Sequence, residues 1–134
     1  MRGMRPTPCP CGSGLLLGAC CGPRHDGSRP AETAEALMRS RYSAFALGLG
    51  EYLVATQAPE SGGESAEALS AWARQVEWQG LTVLRTERGQ HADARGTVEF
   101  EARYRDAGRA VVLRELSRFD RQGGRWRYLG GRSR

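Results

Sequence analysis

The chain has 134 residues, of which 20 are basic and 15 acidic, so its formal net charge is +5. An apolar content of 40% and a mean hydropathy of −0.55 indicate a globular protein and exclude a disordered or collagen-like chain. No apolar run approaches the ~18 residues of a membrane span, and Leu15 to Leu17 is far shorter than the ~7–15-residue core of a secretory signal. We therefore expect a cytoplasmic protein with one compact domain and a small appendage.

All four cysteines lie close together near the start of the sequence, at Cys9, Cys11, Cys20 and Cys21. In a cytoplasmic protein this grouping predicts a metal site rather than a disulfide framework. Two thiolates from each of two turns can surround a tetrahedral ion, and the adjacent pair requires a tight turn or a helix start. His25 is an alternative fourth ligand. Four thiolates favour structural zinc, with iron as the alternative metal, and leave no ligand position for an activated water.

This cysteine segment resembles the SEC-C motif, which closes the C-terminal tail of the SecA translocation ATPase and also occurs in small bacterial proteins. The string CPCGSG begins at Cys9, and Gly22 follows the closing cysteine pair. The resemblance to SecA ends with the motif, so it does not imply an ATPase. SEC-C modules in the resembling families are associated with export or ribosome partners. The resemblance therefore implies docking of a protein or ribonucleoprotein partner.

The next segment predicts helices. Pro30 suits the first turn of a helix, and apolar residues recur at near-helical spacing from Leu37 to Leu53. Gly48 and Gly50 are expected to divide this segment into one long helix and one short helix. Ser65 is a candidate N-cap for a further helix.

From Gly80 onward the apolar residues alternate, which indicates strands. Val98 to Tyr104 alternates apolar and charged residues and predicts a half-buried strand, with neighbours over 81–85, 110–119 and around Trp126. Helices followed by an antiparallel meander predict an α+β architecture. Residues 101–134 hold ten Arg and four acidic residues. This basic segment fits either a solvated sheet face or an anionic partner such as RNA.

Four blocks of the sequence resemble the YchJ-like family. They are LMRSRYSAFALG (37–48), YLVAT (52–56), WQGLTV (78–83) and ELSRF (115–119). That family joins a SEC-C motif to an NTF2-like (cystatin-like) domain, a curved antiparallel sheet packed on helices. The resemblance implies a small N-terminal zinc knuckle of four cysteines with its linker over residues 1–29 and an NTF2-like domain over residues 30–131. It also implies a homodimer as one assembly, because NTF2-like domains often pair through their sheets. Some members carry a second SEC-C motif, whereas this sequence has no cysteine after Cys21.

NTF2-like sheets often enclose a pocket, and one strand supplies polar residues for it. Alternation from Val111 to Phe119 places Glu115 and Ser117 on an apolar face. A carboxylate there needs a partner, since burial alone would raise its pKa. We expect that partner to be Arg39 or Arg41 of the first long helix, with Tyr42 as a hydrogen-bond donor. The set predicts a structural ion pair or the polar end of a ligand or acid–base pocket; the alternative is that Glu115 faces solvent.

Three functions fit these features. The favoured one is a zinc-bearing adaptor that docks a macromolecule through its cysteine knuckle. The second is a small-molecule binder or enzyme that uses a cavity around Glu115, and the third is an RNA-binding protein that uses residues 101–134. Catalysis is the less favoured form of the second, because neither His25 nor His91 is placed to meet Glu115.

Overall fold

The computed structural model describes residues 7–134, which form a helical layer packed against one antiparallel sheet. The helices are α1 (Cys21–His25), α2 (Ala34–Leu47), α3 (Gly50–Ala55) and α4 (Ala66–Gln75), with short 3₁₀ turns at Leu17–Ala19 and Pro59–Ser61. The strands are β1 (Val76–Arg88), β2 (Arg95–Asp106), β3 (Arg109–Gln122) and β4 (Arg125–Ser133), which pair in the order β1-β2-β3-β4. The predicted α+β architecture with an antiparallel meander is confirmed. Within residues 7–134, no helix has both the length and the apolar character that a bilayer crossing requires.

Helix α2 begins at Ala34, so the predicted start at Pro30 is wrong. Thr33 is the N-cap, and its hydroxyl oxygen accepts a hydrogen bond from the Ala36 N–H at 3.0 Å. The Ala34 N–H donates to the Gly89 carbonyl at 2.8 Å. This bond to the end of β1 occupies an N–H of the first turn, so tertiary structure as well as the cap fixes where the helix starts.

The predicted break between two helices is confirmed at Gly48 and Gly50. Gly48 ends α2 in the left-handed region with φ 73°, where glycine is favoured. Gly50 opens α3 at a close approach to α4, because a Cβ there would overlap the Ala66 carbonyl oxygen and the Ser70 hydroxyl. Ser65 caps α4 through its hydroxyl oxygen, as its position in the sequence predicts. Two glycines and one cap thus set the geometry of the helical layer.

The sheet bends around α2 because its strands contain irregularities. The pairing register shifts twice in β1, between Trp78 and Gly80 and between Val83 and Arg85. It shifts once more in β4, where Arg118 and Phe119 of β3 pair with Gly130 and Tyr128 and leave Leu129 as the extra residue. An extra residue of this kind bends its strand and increases the local twist. The concave face that results covers one side of α2.

One continuous core joins the cysteine segment to the sheet and α2. The Trp126 indole N–H donates to the Glu32 carbonyl at 3.0 Å, which fixes the linker against β4. The buried side chains of the cysteines, of α2 and of the sheet form a single cluster. Its buried members include Cys9, Cys11, Cys20, Cys21, Leu37, Met38, Tyr42, Val98, Phe100, Phe119 and Trp126.

Candidate functional site

Two backbone turns bring the cysteines together. The first holds Cys9, whose N–H donates to the Leu15 carbonyl at 2.9 Å, and it passes through Gly12 at φ 79°. The second is the junction between a 3₁₀ turn that ends at Cys20 and helix α1, which begins at Cys21. Of the two geometries that the sequence predicted for this pair, a tight turn or a helix start, the structure has the helix start. All four thiols are buried.

The four sulfur atoms fit a tetrahedral ion. Their Sγ atoms all lie within 4.8 Å of one another. Cys11 and Cys20 are 3.7 Å apart at Sγ, and Cys20 and Cys21 are 3.9 Å apart. Zn–S bonds of about 2.3 Å in a tetrahedron separate the sulfurs by roughly 3.8 Å, whereas a disulfide needs about 2.05 Å. The cysteines are free thiols at the spacing of a metal site.

The electrostatics of this thiol group are compatible with a bound cation. Hydrogen bonds from the Cys21 thiol and from Ser13 lower the pKa of Cys11 to about 4. Donation to Cys11, together with burial, raises the pKa of Cys21, and burial raises the pKa of Cys20. Thiolates so close together repel one another, so further ionisation requires positive charge among the sulfurs. A divalent metal ion supplies that charge.

Two side chains outside the motif approach the sulfurs. The Ser43 hydroxyl of α2 lies 3.4 Å from the Cys9 Sγ. The Arg24 guanidinium nitrogen Nη1 lies 3.8 Å from both Cys20 Sγ and Cys21 Sγ. Sequence reasoning missed Ser43, because a contact to a residue 34 positions away leaves no local pattern. Such outer contacts orient metal ligands and offset their negative charge.

His25 lies outside the group of sulfur atoms. Its Nε2 donates to the Ser40 carbonyl at 2.8 Å, and its ring meets Tyr52 edge-on at 4.9 Å between centroids. Burial lowers the pKa of His25. Among residues 7–134, the group that could hold an ion consists of the four cysteines alone.

A second feature is a cavity of about 310 Å³ between the helices and the concave face of the sheet. Its walls are aromatic and aliphatic, and its polar groups lie mainly on α2, β3 and β4. Trp72 of α4 lines it and keeps 37% of its surface exposed. The apolar lining residues are Met38, Phe45, Leu69, Trp72, Trp78, Phe100, Ala102 and Leu113, and the polar ones include Arg41, Tyr42, Glu115, Ser117 and Tyr128.

The Glu115 carboxylate lines this cavity, and one of its two oxygens accepts two hydrogen bonds from the protein. Its Oε2 accepts hydrogen bonds from the Ser117 hydroxyl at 2.8 Å and from the Tyr128 hydroxyl at 3.2 Å. Burial and the neighbouring Glu115 charge raise the pKa of Tyr128 to about 12, which keeps its hydroxyl protonated as a donor. A Cβ at Gly131 would overlap the carboxylate, so glycine provides the space in which Glu115 lies. Sequence reasoning missed Tyr128, because the extra residue Leu129 in β4 places Tyr128 opposite Phe119, on the face of the sheet that carries Glu115.

The expected pairing of Glu115 with Arg39 or Arg41 requires correction. Arg41 lines the cavity, but within residues 7–134 it forms no ion pair with Glu115 at 4.0 Å or less; its guanidinium carbon lies 4.3 Å from the Tyr128 ring centroid instead. Arg39 donates to the Cys11 carbonyl at 2.8 Å, beside the cysteines. Residues two apart on a helix point about 200° apart. Helix α2 therefore directs one arginine to each of the two candidate sites.

A curved antiparallel sheet packed on helices, with a four-cysteine knuckle, is the architecture of an NTF2-like protein with a SEC-C motif. The family model described as "YchJ, middle NTF2-like domain" matches residues 33–131, and the SEC-C motif model matches residues 5–23. The chain belongs to the YchJ-like family, whose curated relatives carry the name UPF0225. The resemblance seen in the sequence is confirmed.

The relatives match over nearly the whole chain. A UPF0225 protein from Chromobacterium violaceum is 52% identical over 125 residues, which cover 92% of this chain and 90% of the relative. The solution structure of a SEC-C motif containing protein from Rhodopseudomonas palustris has a TM-score of 0.85 at 38% identity and covers 94% of this chain and 98% of its own. A crystal structure of a SEC-C motif containing protein from Psychrobacter arcticus has a TM-score of 0.76 at 32% identity. The match covers 91% of this chain and 80% of that protein.

Proposed function

We propose that this protein is a zinc-binding adaptor whose cysteine knuckle docks a protein partner. The four thiolates would occupy every ligand position of a tetrahedral ion, so the metal would be structural. Zinc suits such a set because it has no redox chemistry and accepts tetrahedral thiolate ligands; iron is the alternative. The free thiols also suit the cytoplasm, which keeps cysteines reduced.

The observation that carries docking is an exposed apolar pair on the knuckle. Leu15 and Leu16 keep 53% and 48% of their surface exposed, while the cysteines around them are buried. The backbone under the pair is fixed, because Leu16 bridges to Pro8 and the Leu15 carbonyl accepts from Cys9. A rigid apolar pair binds a partner at low entropic cost.

The charge beside this pair favours an acidic protein segment. Arg24 and Arg29 line a groove that begins at Gly18, and its one carboxylate is that of Glu32, so basic side chains outnumber acidic ones there. A partner with an apolar side chain for the leucines and carboxylates for the arginines would complement this surface.

RNA binding through residues 101–134 has less support from the structure. The Arg127 guanidinium binds the Asp120 carboxylate at 3.0 Å and the Glu60 carboxylate at 2.9 Å. Arg114 binds the buried carboxylate of Glu99 at 2.9 Å. Part of the basic charge is therefore neutralised within the sheet, in line with a solvated sheet face.

The test is a pull-down from a bacterial lysate with the zinc-loaded chain and two surface variants. Leu15→Ser combined with Leu16→Ser should remove the partner while leaving zinc content and thermal midpoint unchanged. Val112→Ser is the control and should retain the partner. Val112 is 60% exposed and lies on the face of β3 opposite to that of Leu113. Capture that survives nuclease treatment supports a protein partner. Equal capture by the double serine variant contradicts docking through the knuckle, and capture lost with nuclease indicates a ribonucleoprotein instead.

A further inference from the structure

The cavity between α2, α4 and the sheet has the size and lining of a ligand site. Its volume of about 310 Å³ lies at the small end of the range of roughly 300–1,000 Å³ found for small-molecule pockets. Most lining side chains are apolar, and a few polar groups converge at one part of it. That combination is the usual composition of a small-molecule site.

The aromatic walls favour a flat ligand. Trp72, Trp78 and Phe45 meet one another with centroids 5.5–5.9 Å apart, and the Trp72–Trp78 planes are nearly perpendicular at 80°. The Trp78 indole N–H already donates to the Ala73 carbonyl at 3.0 Å. The tryptophans therefore offer mainly ring faces and edges to an occupant. Such surfaces attract other rings and organic cations.

The polar end favours a ligand that donates hydrogen bonds. Glu115 Oε2 already accepts two bonds, whereas its Oε1 has no donor among the described residues and is not sealed from solvent. Glu64 adds a second carboxylate to the lining. A carboxylate with one free oxygen in a largely apolar cavity binds ammonium or amino groups strongly, because the bond is charge-assisted.

The arginine in this cavity is already engaged by the protein. Arg41 is only 6% exposed, and its Nη1 donates to the Leu53 carbonyl and to the Thr56 hydroxyl, both at 2.8 Å. The Tyr128 ring covers its guanidinium face. These contacts occupy Nη1 and one face of the guanidinium. Glu115 is the hydrogen-bond acceptor that the cavity offers to a ligand that donates.

We propose that this cavity binds a small planar aromatic amine, with its ring packed against the Trp72 and Trp78 side chains that line the cavity and its amino nitrogen on Glu115 Oε1. The site is separate from the knuckle, and the proposal does not depend on docking of a protein partner. It assigns the protein a ligand class and no chemical step.

A charge series on one ring system tests this assignment. The probes are tryptamine, a cation; indole-3-ethanol, which is neutral; and indole-3-acetate, an anion. Calorimetry on the full zinc-loaded chain should give tryptamine a Kd below about 1 mM and at least roughly tenfold tighter binding than either other probe. In ¹H–¹⁵N spectra the indole N–H signals of Trp72 and Trp78 should shift. The signal of Trp126, which does not line the cavity, should stay in place.

Two variants locate the charge recognition. Glu115→Gln keeps the shape of the side chain. It should weaken tryptamine binding by roughly tenfold or more and change the affinity for indole-3-ethanol by less than about twofold. Glu101→Gln, on the opposite face of β2 from Phe100, should leave both probes unchanged, and thermal midpoints establish that both variants fold. The proposal is overturned if tryptamine does not bind at up to ~5 mM. It is equally overturned if the anion binds as tightly as the cation, or if Glu115→Gln leaves tryptamine affinity unchanged.

Discussion

Ser43 places its hydroxyl oxygen 3.4 Å from the sulfur of Cys9, a residue 34 positions earlier in the sequence. Ser43 is fully buried in α2, whose neighbouring residue Tyr42 lines the cavity. Helix α2 thus contacts the cysteine group through Ser43 and forms part of the cavity wall through the adjacent Tyr42.

Replacing this serine should weaken metal binding without removing a ligand. Ser43→Ala deletes the hydroxyl that orients the Cys9 sulfur, and we expect zinc affinity to fall roughly tenfold. A competition titration with a chelator of known affinity measures the change. The matched control is Ser40→Ala, because the Ser40 hydroxyl bonds to the Leu37 carbonyl and to Tyr52 rather than to sulfur. Equal zinc affinities in the two variants would show that Ser43 has no part in metal binding.

The purified protein should contain about one zinc ion per chain. Cys20→Ser should lose that metal and lower the thermal midpoint, because metal binding contributes folding free energy. Elemental analysis by mass spectrometry and a free-thiol count measure both states. His25→Gln is the control and should retain the metal, since the His25 Nε2 is bonded to Ser40. Metal-free protein with four reactive thiols would contradict the proposed metal site. Iron in the elemental analysis, together with visible absorption, would show that the bound metal is iron and not zinc.

The contact between α3 and α4 depends on the lack of a side chain at Gly50. A Cβ there would overlap backbone atoms of Ala66 that cannot move independently of α4. Gly50→Ala should therefore lower the free energy of unfolding by about 3 kcal/mol. Gly18→Ala, where a Cβ meets no heavy atom within 4 Å, should change it by less than about 0.5 kcal/mol. Urea denaturation followed by tryptophan fluorescence compares them, and equal midpoints would mean that the helices separate at low cost.

The ion pair between Asp120 and Arg127 should make stability depend on pH in the acid range. Hydrogen bonds from Arg127 hold the pKa of Asp120 below its ordinary value. This carboxylate therefore contributes stability that is fully present above the unfolded pKa of about 3.9 and is lost as the pH falls through the lower folded pKa. We expect Asp120→Asn to be less stable than the natural chain by about 1 kcal/mol at about pH 6, with a smaller difference at about pH 3.

Comparing two chains at each pH removes any effect of acid on metal binding, because metal loss affects both. Glu87→Gln provides the control, since the Glu87–Arg85 pair is exposed and such pairs contribute little. A difference between the natural chain and Asp120→Asn that stays constant across this acid range would contradict the assignment.

Local patterns in the sequence predicted the type and order of the main helices and strands, but not all of their bounds, since β1 runs over Val76–Arg88 and not only over 81–85. The alternation from Val98 to Tyr104 predicted β2, and the glycines at 48 and 50 predicted the break between α2 and α3. The Cys20–Cys21 pair predicted a tight turn or a helix start, and a helix starts there. Each of these signals arises from the residue itself or from its immediate neighbours, so it can be read without knowledge of the tertiary structure.

The contacts of the two candidate sites were harder to predict because they join distant segments. The partner of Glu115 depends on a bulge that changes the pairing of β3 with β4, and no local signal marks that bulge. Arg39 and Arg41 are close in sequence but point to different sites, which depends on how α2 is rotated about its axis. The start of α2 at Ala34 depends in part on the carbonyl of Gly89, a residue far later in the chain.

The bond from the Trp126 indole to the Glu32 carbonyl joins residues 94 positions apart. During synthesis the cysteines leave the ribosome long before β4, so the knuckle spends that time without the strand that anchors its linker. The core that buries the four thiols in the folded protein includes Phe119 and Trp126 and is therefore incomplete until then. The order of the elements along the chain thus postpones full burial of the cysteines until the sheet is complete.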